Sequence, residues 1–132
     1  MNATILLDHH LEDRAKFFQA GLRETGWDEL LTLDCMCLRD FGLPDDYSDR
    51  DIWRFAQQHR LWLITSNRNR KDETSLQATI DRENTPDSLP IITIAQAKRL
   101  EISDYRQQTI ERLTEIILYP EKHLGTGRLY IP

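Results

Sequence analysis

Three short runs of apolar and β-branched residues constrain this chain more than any other feature: Ala3-Thr4-Ile5-Leu6-Leu7, Leu61-Trp62-Leu63-Ile64-Thr65 and Pro90-Ile91-Ile92-Thr93-Ile94. Each is apolar on both alternating positions, so each reads as a strand buried on both faces, the pattern of a parallel sheet. Such strands need helices over both faces, and the segments between them supply the helices. Leu11, Ala15, Phe18 and Leu22 recur at helical spacing, with Glu12 and Asp13 in the first turn and Gly26 as a stop. Ser48-Asp49 is an N-cap pair for a helix from Arg50 to His59, with Ile52, Trp53, Phe55 and Ala56 facing inward. Ser103 caps a helix through Leu118, with Ile110, Leu113, Ile116 and Ile117 on its buried side, and Pro120 ends it.

The remaining segments carry weaker signals. Trp27 opens a second strand through Leu30-Leu31-Thr32-Leu33, and Cys35 to Phe41 reads as a short helix closed by Gly42. Residues 66–89 read as a long polar loop, which a short helix from Glu73 to Arg82 would interrupt. Gly127-Arg128-Leu129-Tyr130-Ile131 reads as a last edge strand. The expected architecture is one α/β domain over residues 1–132 in three layers. A central, mainly parallel sheet of four to five strands is flanked by helices, with right-handed crossovers.

Composition narrows the class. At 132 residues the chain suits one domain; 39% is hydrophobic and 30% charged, and no apolar run approaches a membrane span. Residues 1–8 are too short for a secretory signal and end in Asp8, so the expected location is the cytoplasm. A net charge of −5 argues against coating nucleic acid by bulk electrostatics, but not against a metal-dependent nuclease, whose bound cations reverse the local field. Cys35 and Cys37 are too close for an unstrained disulfide and make half a zinc set; buried thiols are the simpler reading.

Ligands of open parallel sheets bind beyond the carboxyl ends of the strands. Asp8 ends the first strand, Asp34 follows the second, and Ser66 and Asn67 follow the third. Asp49 opens a helix that runs back against the strands, so it belongs to the same edge. Carboxylates gathered there call for a hard cation, Mg²⁺ or Mn²⁺, and the chemistry this suggests is phosphoryl transfer. Arg68, Arg70 and Lys71 either hold phosphates or form a solvated loop. Simpler duties compete at each acid: Asp8 and Asp49 as helix caps, Asp40 as a turn residue. His9 and His10 read as exposed turn residues, and His59 suits a helix C-terminus.

The order of these pieces resembles the PIN-like domains, in particular a small bacterial group related to toxin-type ribonucleases. The matching residues are Ile5-Leu6-Leu7-Asp8, Arg39-Asp40-Phe41-Gly42-Leu43, Ser48-Asp49-Arg50-Asp51-Ile52 with Ala56, and Leu63-Ile64-Thr65-Ser66-Asn67, over about the first two thirds of the chain. The resemblance implies a Mg²⁺- or Mn²⁺-dependent endoribonuclease, with Asp8, Asp40 and Asp49 as metal-ligating acids and RNA as substrate. Such domains are often toxins, so an antitoxin or other protein partner, or a second copy of the chain, is implied as well. Asn67 stands where the family usually has a fourth aspartate; its amide oxygen can ligate a cation but brings no charge, and Asp72 or Glu73 would compensate. Two other readings stand beside this one. A degenerate PIN-like module would bind RNA or a protein without cutting. Another phosphoryl-transfer scaffold, a receiver domain or a haloacid-dehalogenase-like phosphatase, would use Asp8, Thr65 and Lys98. His9-His10 after Asp8 departs from the paired acids or Asp-x-Asp of those families.

Overall fold

The computed structural model describes residues 1–44, 46–66 and 70–132, with the side chains of all of these except 70–74. Five strands, β1 (Asn2–Leu7), β2 (Thr32–Cys37), β3 (Trp62–Ser66), β4 (Ile91–Ile94) and β5 (Arg128–Ile131), form one sheet. All four neighbouring pairs are parallel, in the order β2-β1-β3-β4-β5. The helices α1 (Ala15–Thr25), α2 (Asp49–Gln58), α3 (Arg70–Glu83) and α4 (Ser103–Leu118) cover it. The result is the three-layer α/β domain that the apolar runs imply. Among the described residues, no helix is long and apolar enough to cross a membrane.

Side chains of the central strands divide the core in two. Ile5, Leu7, Ile64, Ile92 and Ile94 meet Phe18 and Leu22 of α1 and Ile110, Leu113 and Ile117 of α4. Leu6, Leu63 and Ile91, pointing the other way, meet Trp53 and Ala56 of α2 and Leu76 and Ile80 of α3. Both faces of β1, β3 and β4 are therefore dry, which is why their sequences show no polar alternation.

Two elements differ from their expected positions. Trp27–Glu29 is a 3-10 turn, and β2 begins at Thr32 and runs to Cys37, so Asp34 sits inside the strand, paired with Thr4, rather than after it. As an edge strand β2 buries Leu33 and leaves Thr32 and Asp34 exposed, and that half-polar pattern disguises it. The expected short helix at Cys35–Phe41 is the end of β2 followed by a 3-10 turn, Leu38–Phe41, closed by Gly42 at φ 74°. The long polar segment contains α3, fourteen residues long, which replaces most of the expected loop. It buries only Leu76, Thr79 and Ile80 of its described side chains, too narrow a stripe to stand out in the sequence.

The crossovers carry a surprise in handedness. β1 to β2 steps toward one edge with α1 on one face. The next two crossovers step the opposite way with α2 and α3 on the opposite face, so these three share one hand. The step from β4 to β5 continues in that second direction but through α4, on the face of α1, so its hand is reversed. Parallel crossovers are right-handed in nearly all known cases. Before entering β5, residues 125–127 lie beside the end of α3 and the segment after it. The amide of Gly125 donates to Ser88 O at 2.9 Å, and Asn84 Nδ2 donates to Gly125 O at 2.8 Å. Gly125 and Gly127 take φ values of 80° and 89° there, with the Pro86 backbone and Ile80 pressed against them.

Candidate functional site

The sheet changes winding direction between β1 and β3, and at such a switch the carboxyl ends of the strands open a crevice. Asp8 stands at that point. Its amide continues the ladder by donating to Ile64 O at 3.0 Å, and its carboxylate Oδ1 accepts from the His10 amide at 2.7 Å. At 5% exposure it is the only buried carboxylate among the described residues. Its backbone is extended, φ −59° and ψ 156°, so its side chain continues the alternation of β1 and follows Leu6 toward the face of α2 and α3.

Asp49 approaches from that same face. Leu61 follows α2 after two residues and leads straight into β3, so α2 runs against the strands and carries its first residue toward the carboxyl edge. Ser48, not Asp49, is the cap: Ser48 Oγ accepts from the Asp51 amide at 3.1 Å. Asp49 is therefore relieved of the capping duty and sits half-buried in the first turn. Neither Asp8 nor Asp49 is without a partner.

Asp40 lies at the same end of the sheet, after β2, but is turned onto its own turn. Its Oδ2 accepts from the Cys37 amide at 2.8 Å, and it is exposed. The turn it closes lets Phe41 pack edge-on against Phe55 of α2, centroids 5.1 Å apart, so its local role is to anchor the connection between β2 and α2. Asn67 and Arg68 lie outside the described residues. Arg70, Lys71, Asp72 and Glu73 open α3, their backbone alone being described.

Glu12 is a member of this region that the sequence does not single out. It lies in the 3-10 turn His9–Arg14 with His9 Nδ1 at 4.0 Å and Arg39 Nη1 at 4.0 Å. Its Oε1 is buried and accepts no hydrogen bond. In sequence it is an ordinary first-turn acid; in the fold it is half-buried, with Arg39 of the Leu38–Phe41 turn beside it. The same crowding lifts the Cys37 thiol above its usual range, through burial first and then the charge of Asp40.

An orphaned carboxylate oxygen and a buried aspartate suit a cation, yet among the described residues no group of three or more His, Cys, Asp or Glu converges as a metal cage. Asp8 and Asp49 are carried toward the same end of the sheet. Thr65, the second member of the receiver-like trio, points away from the edge: its hydroxyl is buried at 2.9 Å from that of Thr93, which also accepts from Arg128 Nε at 2.9 Å. No family model, no curated protein and no solved structure matches this chain.

Proposed function

We propose that the domain is a PIN-like, Mg²⁺- or Mn²⁺-dependent endoribonuclease whose reaction centre is Asp8. The observation that carries this reading is a carboxylate buried to 5% exposure at the winding switch of a parallel sheet, where it also caps the turn His9–Arg14. Asp49 is the second cation donor, and Asp40, with one oxygen committed to Cys37, an outer member. A bound divalent ion would lower the pKa of an attacking water and draw charge from the phosphodiester. Asp8 is pre-positioned: its backbone amide donates to Ile64 O, and its carboxylate Oδ1 accepts from the His10 amide before substrate arrives. Burial of Thr65 against Thr93 supports this reading over the receiver-like one, which needs that hydroxyl at the ligand.

Asp8→Asn separates structure from chemistry, since the amide oxygen still accepts from His10 while the charge is gone. The expected result is a loss of Mn²⁺-dependent RNA cleavage of about a hundredfold or more. The unfolding midpoint should stay within about 3 °C in EDTA. Mn²⁺ should raise the midpoint of the parent protein by mass action and leave that of Asp8→Asn unmoved. Cleavage undiminished in Asp8→Asn would sink the assignment; RNA binding without cleavage or Mn²⁺ stabilisation would identify a binding module instead.

A further inference from the structure

On the other side of the same sheet edge lies a cleft of about 440 Å³, beyond the ends of β3 and β4. Ser66 forms its floor with the segment 95–97, and His10, Arg14, Lys98 and Arg99 form its walls. Three of these carry a positive charge and no acid is among the described lining residues, although the chain as a whole carries −5. A cleft lined by one sign of charge focuses the field and draws in ligands of the opposite sign.

The cations are arranged rather than scattered. Arg14 is mostly withdrawn from solvent, 17% exposed, and is steadied by Glu101 at 3.8 Å. Arg99 lies over the Tyr105 ring, 5.0 Å from its centroid, and Nη1 donates to Gln96 Oε1 at 3.3 Å. Tyr105 is itself fixed, accepting from the Gln96 amide at 3.0 Å and donating to the Pro132 carbonyl. Lys98 is exposed at the rim. Guanidinium groups held in place beside a mobile ammonium suit the several oxygens of a phosphate. The cleft is tied to Asp8 directly, because the His10 amide at its wall is the donor that Asp8 holds.

We propose that this cleft is a phosphate subsite that grips a backbone phosphate of single-stranded RNA flanking the one at Asp8. The strand then crosses the sheet edge from the face of α1 and α4 to the face of α2 and α3. The choice of RNA rests on the ribonuclease reading; the phosphate chemistry does not. The subsite adds Arg14, Lys98 and Arg99 to the expected Arg70 and Lys71, whose side chains, like Arg68, lie outside the described residues.

The test is fluorescence anisotropy of a labelled twelve-nucleotide RNA in EDTA, over a series of NaCl concentrations. Lys98→Glu and Arg99→Gln are each expected to weaken binding about tenfold at low salt and to flatten the log–log salt slope by about 0.7 for each phosphate no longer gripped. Arg112→Glu is the control: it makes the same charge change as Lys98→Glu, about 14 Å further along α4 from Ser103, and should bind like the parent. Parent-like binding by both cleft variants, equal weakening by Arg112→Glu, or no binding by the parent protein would overturn the subsite. If the cleft variants lose binding while Asp8→Asn still cleaves, the ribonuclease assignment falls and the subsite stands. If cleavage needs Asp8 but binding ignores Lys98 and Arg99, the reverse holds.

Discussion

Asp8 caps the turn after β1 with the same carboxylate proposed to hold a cation, whereas its neighbours divide those duties. Ser48 caps α2 and leaves Asp49 for other work; Asp40 spends one oxygen on its own turn. Cys35 shows how strongly this edge of the sheet perturbs a titratable group. Its thiol is pushed up to about 11, first by burial and then by the charge of Asp34, against a weak contact from Gln19 Nε2 at 3.7 Å. An unfolded thiol ionises near about 8.5. At pH 8 the folded protein should therefore react with iodoacetamide at Cys35 about two orders of magnitude more slowly than the urea-unfolded chain, as read by mass spectrometry. Stability responds in turn: between about pH 9 and 11 the unfolded chain has lost a proton the folded one keeps, so stability falls as pH rises through that window. Equal labelling in buffer and in urea would contradict it. Asp8 and Asp49 were legible in sequence because each follows from the order of strand and helix around it. Glu12, Arg14 and Arg99 were not, because their setting is made by segments far along the chain: Leu38–Phe41 for the first, the loop after β4 for the others.

At the scale of elements, what the sequence reveals depends on how many faces are buried. β1, β3 and β4 are dry on both sides and announce themselves; β2, with one neighbour, and α3, with a narrow stripe, do not. The α1–α4 contact adds a feature that propensity alone misreads. Gly21 sits mid-helix in α1, where alanine would ordinarily stabilise by roughly 0.5–1 kcal/mol. Here a Cβ would run into Ile110 Cγ1 and lie 3.2 Å from its Cβ, atoms close to the α4 backbone rather than at a free end. The helices are also clamped at Glu24, whose carboxylate accepts from Arg106 Nη2 at 2.9 Å, so α4 cannot simply retreat. Overpacking of this kind costs about 1–3 kcal/mol. Gly21→Ala is therefore expected to destabilise by about 1–2 kcal/mol net, measured by urea denaturation. Gly21→Ala combined with Ile110→Val, which trims the terminal methyl and lets the shorter branch turn away from a new Cβ, should recover part of the loss. A stabilised single variant would mean that α4 is free to shift.

At the scale of the molecule, β5 closes one lateral edge of the sheet. β5 covers the edge of β4 along four register pairs, Ile131 is buried with the α1–α4 core, and the Ala95 amide donates to Ile131 O at 3.0 Å. Arg128 reaches across to Thr93 and to Gln77 Oε1, at 3.2 Å for the latter, so β5 also ties α3 to the sheet. The Pro132 carbonyl accepts from Tyr105, the residue that supports Arg99 in the cleft. Removing residues 127–132 would therefore strip a buried isoleucine and leave the backbone groups of β4 that face β5 without partners. A bare apolar edge invites pairing with another chain. The truncated protein should melt well below the parent and elute as oligomers in size-exclusion chromatography, and the RNA affinity proposed for the cleft should fall because Arg99 loses its fixed platform. Shortening by Pro132 alone keeps the β5 pairing and deletes the acceptor for Tyr105, so it should leave the fold intact and weaken only the cleft. A truncation at residue 126 that stays monomeric and melts like the parent would show that β5 is an appendage rather than a structural strand.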